Sequence, residues 1–278
     1  MRTRFLSSIV VSAGVLLMAA SMLAQAPRPA AQTAPANTYR APRTKDGKPN
    51  LNGIWQAVNE ANWDLEAHGA AAGPMYQMGA AYSQPPGIGI VEGGAIPYKP
   101  QALQKKKENF ASRATKDPEF KCYLPGVPRA MYMPYPFQIL QGTDHIMIAF
   151  EYAGALRTVY MKNQTEAPAD SWMGWSNGKW EGDTLVIDTT GFNDLSWFDR
   201  AGNFHSDKLH VVERITPRSD NHLDYEATIE DPDTFTRPWK IRMPLYRRIE
   251  QNAQLLEFKC VEFAEDLIYG HLRKVPLK

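Results

Sequence analysis

The sequence has no excess of charge of either sign. Lysine and arginine number 31, aspartate and glutamate 30. Two of the basic residues, Arg2 and Arg4, belong to an N-terminal leader; without them 29 basic residues face 30 acidic ones. A chain so balanced makes no electrostatic case for nucleic acid or an anionic membrane surface as a partner. Cysteine is scarce: Cys122 and Cys260 are the only two. Catalytic signatures are missing as well. There is no HxH or HExxH spacing for zinc and no EF-hand spacing for calcium. Helical periodicity between strand-like segments is absent, which argues against a parallel α/β fold.

The N-terminus carries a clear pattern. Arg2 and Arg4 precede an apolar run over residues 5–22, and Ala24-Gln25-Ala26 is a small-x-small cleavage site. This is the layout of a secretory signal peptide over residues 1–26, removed after Ala26. An uncleaved anchor is the alternative, but the run is at the short limit for a span and no stop-transfer pattern follows. A periplasmic or extracellular location is expected, with no stable membrane span after cleavage. Residues 27–47, rich in Ala, Pro, Gln and Thr early on, read as a flexible linker. In an oxidising compartment Cys122 and Cys260 are expected to form a disulfide, with two reduced buried thiols as the alternative.

The remaining chain, 48–278, reads as one domain with an irregular insertion over 57–136. Residues 52–56 look like a first strand. One convincing helix spans 100–115. From 137 onward strand-like segments recur at 137–141, 145–152, 156–161, 184–189, 210–215, 223–229, 239–245 and 255–261, with turns between. Asn177-Gly178 reads as a hairpin turn between two further short strands, and Glu181-Gly182-Asp183 as the next turn. The expected architecture is a mainly β, antiparallel meander of about ten strands closed into a barrel, with one or two short helices, one of them in the tail.

Two resemblances bear on this. Gly53-Ile54-Trp55 resembles the Gly-x-Trp opening of lipocalin-type barrels, which implies a Trp closing one barrel end against a basic residue. The segment 57–136 departs from that family, in which hairpins begin at once. The stretch from Cys122 to Cys260 resembles an uncharacterised family of exported bacterial proteins. It does so through Pro125-Gly126-Val127-Pro128-Arg129, Trp172-Met173-Gly174-Trp175-Ser176, the run from Gly178 to Val186, Thr190-Gly191-Phe192-Asn193-Asp194, His205-Ser206 and Leu209-His210. That resemblance implies export and a shared fold and names no reaction.

The candidate chemistry clusters late in the chain. His205, in a loop after Trp197-Phe198, is the expected acid or base, aided by Asp194 or Glu151. His205 and His210 with a nearby acid would suit a divalent metal; backbone hydrogen bonding is the alternative, and no other cofactor is expected. Glu151 and Arg157 flank a turn. They sit opposite each other if the loop has three residues, whereas a two-residue loop pairs Arg157 with Phe150. The pair is then a desolvated acid or base with its compensating cation, or an exposed ion pair. On the strand from His210, alternation puts His210, Val212 and Arg214 on one face and Val211 and Glu213 on the other. Trp175, Trp197, Trp239 and Tyr152 are expected pocket walls or core, with Arg129 or Arg157 holding an anionic group. Gly174, Ser176 and Gly178 match the spacing of a hydrolase elbow, but a strand signal rather than a helix follows, so a hairpin fits better. Two functions follow as expectations. One is an exported enzyme doing acid–base chemistry of lyase, isomerase or hydrolase type on a small aromatic or carbohydrate-like compound. The other is a lipocalin-like carrier with the 57–136 segment over its mouth. The oligomeric state stays open.

Overall fold

The computed structural model describes residues 39–72 and 83–272; the leader expected over 1–26 and the first part of the linker lie outside them. Nine strands form a closed barrel. They are β1 (Gly53–Ala57), β2 (Phe137–Gln141), β3 (His145–Phe150), β4 (Leu156–Tyr160), β5 (Trp175–Glu181), β6 (Thr184–Thr190), β7 (His210–Ser219), β8 (His222–Glu230) and β9 (Trp239–Arg247). Neighbours in sequence are neighbours in the barrel, and β1 closes it by pairing with β9, Trp55 opposite Arg247. All pairs are antiparallel except β4–β5, which is parallel and short, Val159 opposite Ser176 and Tyr160 opposite Asn177. Alternation decides what faces inward. In β7 Val211, Glu213 and Ile215 are buried while Val212 and Arg214 are half-exposed. The expected mainly β barrel is therefore present, with nine strands rather than about ten.

Two features account for the difference. The Asn177-Gly178 turn does not form: β5 runs straight through it, Asn177 opposite Asp188 and Gly178 opposite Ile187. Gly178 serves close packing instead, since a Cβ there would lie 2.5 Å from Met161 Sδ and 2.6 Å from Val159 Cγ1. The β5–β6 turn is the next signal, at Gly182, with Glu181 opposite Thr184. Residues 255–261 have strand-like composition but pair with no strand. Closing β9 onto β1 leaves no free edge for them.

The barrel has two unlike ends. At one, the turns are short, and Trp55 lies under Arg247 with the guanidinium carbon 4.1 Å from the ring centre. The indole donates to the Leu51 carbonyl at 2.9 Å, and Arg247 Nη1 to the Asn52 carbonyl at 2.7 Å. Gly53 makes this possible, because a Cβ at that position would sit 2.0 Å from Arg247 Nη1. Part of the expected linker also packs here. Ala41 is buried, Tyr39 donates to Asp220, and Arg43 pairs with Asp183 at 2.8 Å. Backbone bridging of Arg43 to Pro49 and these contacts hold the segment from Tyr39 onward against this end.

The other end is covered by long connections. Residues 90–99 lie along β9 and the turn before it, through hydrogen bonds such as Glu92 N to Lys240 O and Lys99 N to Thr234 O. The helix expected over 100–115 is α1 (Pro100–Ala111) followed by a single turn, α2 (Arg113–Lys116). The break falls at Ser112, whose hydroxyl donates to the Glu108 carbonyl at 2.8 Å and so competes with the ladder. Ala102 of α1 packs with Trp197 and Phe204 of the 191–209 loop. Cys122 and Cys260 form the expected disulfide, which ties the cap to the irregular segment after β9. The tail adds α3 (Ala264–Tyr269). No helix among the described residues is long and apolar enough to cross a membrane.

Candidate functional site

The sequence-predicted residues fall in several separate places. His205 lies in the 191–209 loop and is fully buried against Phe198 and Phe192, ring centres 5.2 and 6.1 Å away. Its Nδ1 is 2.9 Å from the Ser206 carbonyl, which can only accept, so Nδ1 carries the proton. Nε2 therefore accepts from the Ser196 hydroxyl at 2.8 Å. Burial pushes the imidazole below its ordinary pKa, outweighing the bond to Ser206, and keeps it neutral. Gly126, at φ +73°, leaves room for this pair: a Cβ there would meet Ser196 Oγ at 2.5 Å. Asp194 is exposed and makes no bond to His205, whose two nitrogens are already used. His210 is elsewhere, on the outer face of β7 between Asp188 and Glu230 at 3.1 and 3.3 Å. The two histidines expected to share a metal are thus not brought together, and no group of three metal-ligating side chains occurs among the described residues.

Arg129 stands at the centre of a second, ionic cluster. Its guanidinium reaches Asn62 Oδ1 at 2.9 Å, Glu119 Oε2 at 2.5 Å and, more loosely, Asp117 Oδ1 at 3.5 Å and the Trp197 carbonyl at 3.4 Å. Arg200 clamps the same Glu119 through both its oxygens at 2.8 and 2.6 Å. Burial works to raise the Glu119 pKa, but Arg200 and Arg129 outweigh it and bring it to about 2. Asp199 goes the other way, to about 7, because it is buried and faces the charge of Asp64. It staples the loop by accepting from Leu65 N at 2.9 Å and Asn203 Nδ2 at 2.6 Å. Arg129 is consequently not free to hold an anionic ligand; it is neutralised by its own carboxylates.

Beside this cluster Arg129, Glu119, Trp197, Tyr152 and Leu124 line a narrow gap with no room for a water molecule. Tyr152, itself buried, forms one side of the gap. Its hydroxyl donates to the Glu119 carbonyl at 3.3 Å, and its ring packs with Tyr135 and Phe258 at 5.7 and 5.0 Å. Tyr135 and Phe258 meet edge to face at 5.2 Å, completing an aromatic trio. Next to it opens a cavity of ≈ 480 Å³ walled by Pro136, Glu151, Arg248, Glu250, Asn252 and Leu256. That volume lies within the usual range of about 300–1,000 Å³ for small-ligand sites. The cavity exists because the chain turns back after β9. Leu256 N donates to Glu151 Oε2 at 2.8 Å, and Arg248 reaches Gln56 Oε1 at 3.0 Å. Glu151 is half-exposed in this wall.

Glu151 and Arg157, expected as partners, part company. A turn centred on residues 152–154 lengthens the connection, so Arg157 faces Ile148 instead of Glu151 or Phe150. Arg157 points into the barrel, where Glu213 binds its guanidinium. Of the expected aromatic walls, Trp239 is buried against Phe198 and Phe235 at 5.8 and 5.3 Å. Trp175 is half-buried, stacked on Tyr160 at 4.4 Å. Neither lines the cavity. Ser176 is no nucleophile elbow: it is buried within strand β5 and accepts from Arg157 Nε at 2.9 Å. Sequence reasoning missed Ser196, Glu119, Arg200, Tyr135 and Arg248. Nothing local distinguishes them, since each gains its role from a partner far along the chain. Glu213 was legible in part, because alternation puts it on the face of Val211.

No protein-family model matches the chain, and a search of curated proteins finds no match.

Proposed function

We propose that this chain is an exported small-molecule-binding protein, and that its ligand lies in the ≈ 480 Å³ cavity between Glu151 and the 248–256 segment, against the aromatic trio. The observation that carries this reading is the make-up of the wall. Carboxylates (Glu151, Glu250), a guanidinium (Arg248) and amides (Gln251, Asn252, Gln254) stand beside Pro136 and Leu256; Tyr135 and Tyr152, next in sequence to Pro136 and Glu151, pack on Phe258. Hydroxyl groups of a carbohydrate-like compound find donors and acceptors there, and a sugar or aromatic face finds rings to stack on. The barrel interior speaks for a peripheral site: Trp55, Phe137, Ile148, Tyr225 and Leu245 fill it. Export rests on the leader and fits the disulfide. The test is a thermal-shift screen of small carbohydrates and aromatic compounds on the mature protein, repeated on Tyr135→Ala and Arg248→Ala. A hit whose stabilisation disappears in both variants supports the site; hits indifferent to both would place binding elsewhere.

The enzyme reading is kept as second because of one geometry, the Ser196 hydroxyl donating to the unprotonated Nε2 of His205 with Nδ1 held by a carbonyl. A hydroxyl so oriented has the relation of nucleophile to base. Labelling of Ser196 by a fluorophosphonate, lost in His205→Ala, would move this reading ahead of the first. An unlabelled Ser196 would remove it.

A further inference from the structure

The barrel interior holds one polar island. Arg157, Glu213, Tyr225, Ser176 and Thr189 are all buried and come from five different strands. Arg157 Nη1 donates to Glu213 Oε1 at 3.0 Å, Nη2 donates to Oε2, and the Tyr225 hydroxyl adds a bond to Oε1 at 2.8 Å. The rest of the guanidinium is held by side chains that fix its plane: Nε donates to Ser176 Oγ at 2.9 Å and Nη2 to Thr189 Oγ1 at 2.8 Å. Ser176 and Thr189 are themselves 3.1 Å apart. One carboxylate thus receives a planar fork and a phenol, the arrangement that selects carboxylates by geometry as well as charge.

Stability alone does not call for this island. A buried ion pair is commonly matched or bettered by apolar side chains of the same volume, and the neighbours on the same face, Val211 and Ile215, are apolar. Arg157 also has anchors other than its occupant. Arg157 is oriented by Ser176 and Thr189, on β5 and β6, whereas Glu213 arrives from β7.

We propose that Arg157, Tyr225, Ser176 and Thr189 form a carboxylate-binding site inside the barrel, with the Glu213 side chain as its intramolecular occupant. The site takes a small free monocarboxylate when that side chain is shortened. This stands apart from the peripheral cavity and does not depend on it. Glu213→Ala keeps Cβ and removes two carbons and the two oxygens, so acetate is the missing piece. The probe is therefore sodium acetate, with sodium chloride at equal ionic strength and acetamide as controls, read by thermal and denaturant unfolding of the mature, disulfide-bonded protein. Acetate is expected to stabilise Glu213→Ala saturably. At ten times its Kd the folded-to-unfolded ratio should rise about 11-fold, from simple binding linkage. Wild type and the double variant Arg157→Met, Glu213→Ala should respond to acetate no more than to chloride. If Glu213→Ala does not fold in chloride, refolding yield becomes the readout, and recovery in acetate but not acetamide supports the proposal. The proposal is overturned if Glu213→Ala responds equally to acetate and chloride. It is overturned equally if the variant stays unfolded in both while Glu213→Gln folds.

Discussion

The two ends of the barrel solve the same problem by different means. At the Trp55 end the strands turn within a few residues, and one arginine lying on one indole closes the opening. Its neighbours are mostly half-exposed, and its polar contacts are local or one strand away. At the capped end, connections over 58–72, 83–136, 191–209 and 231–238 pile up, and the opening is filled with buried charge. There Arg129 and Arg200 share Glu119, Asp199 faces Asp64, and His205 bonds Ser196. A closure made of a stacked side chain loses little when one member goes. A closure made of desolvated ions loses much, because the surviving partner is left buried and uncompensated.

The largest expected effect is therefore at the cap. Arg129→Ala should destabilise by about 3–5 kcal/mol in equilibrium denaturation. A loss below about 1 kcal/mol would mean that solvent reaches the cluster and that the contrast between the ends is false. Removing the disulfide with Cys122→Ser and Cys260→Ser comes next. Its loop of 138 residues implies about 4–5 kcal/mol in the chain-entropy model and about 2–5 kcal/mol in practice. Protease nicking is expected first within the cap and the 248–263 segment that the bond joins. At the other end, Arg247→Ala should cost about 1–2 kcal/mol, the worth of a partly desolvated cation–π contact. The smallest effect is expected on the outer wall, where Arg214→Ala breaks an exposed pair with Glu181 at 2.8 Å and should cost less than about 1 kcal/mol.

The ends should also differ in pH response. The folded-state pKa of Asp199, about 7, lies above the ordinary carboxylate value near 3.9. The folded protein thus holds a proton that the unfolded chain has already released. That contribution is complete below pH 4 or so and is lost as the pH rises through about 7. Glu119 has the opposite sign: its folded value is about 2, so its contribution is present above the ordinary range and lost as the pH falls toward 2. Asp199→Asn should flatten the fall in Tm between pH 4 and 7, measured as the difference from wild type. Identical slopes in the two proteins would contradict the assignment of Asp199.

The same contrast explains what could be read beforehand. Strands with alternating burial, such as β2, β3 and β7, announce themselves because period two is a local pattern. So does a Gly-x-Trp, where the missing Cβ is needed by an arginine passing over it. Asn177-Gly178 misled because turn preference is also local, while the demand for a glycine at 178 comes from Val159 and Met161 packed beside it. Residues 255–261 misled for a related reason: β propensity forms a strand only where an edge is free. The cap was least legible. Glu119 and Arg200 lie 81 residues apart, and Glu151 meets Leu256 across 105. No spacing rule reaches so far. His205 was found for its position in a loop among aromatics, yet its partner is Ser196, not an acid. Tyr152, Arg129 and Trp197 do meet at one gap, but the carboxylates that neutralise Arg129 came from a stretch that reads only as an irregular insertion.

The most direct measurement is native mass spectrometry of the disulfide-bonded protein, wild type beside Tyr135→Ala. The account predicts that wild type carries a small organic adduct and that the adduct is lost with Tyr135 while the disulfide and the folded charge-state distribution remain. An adduct retained unchanged in the variant, or bare protein that also fails to take up any compound from the thermal-shift screen, would contradict a binding site at the aromatic trio.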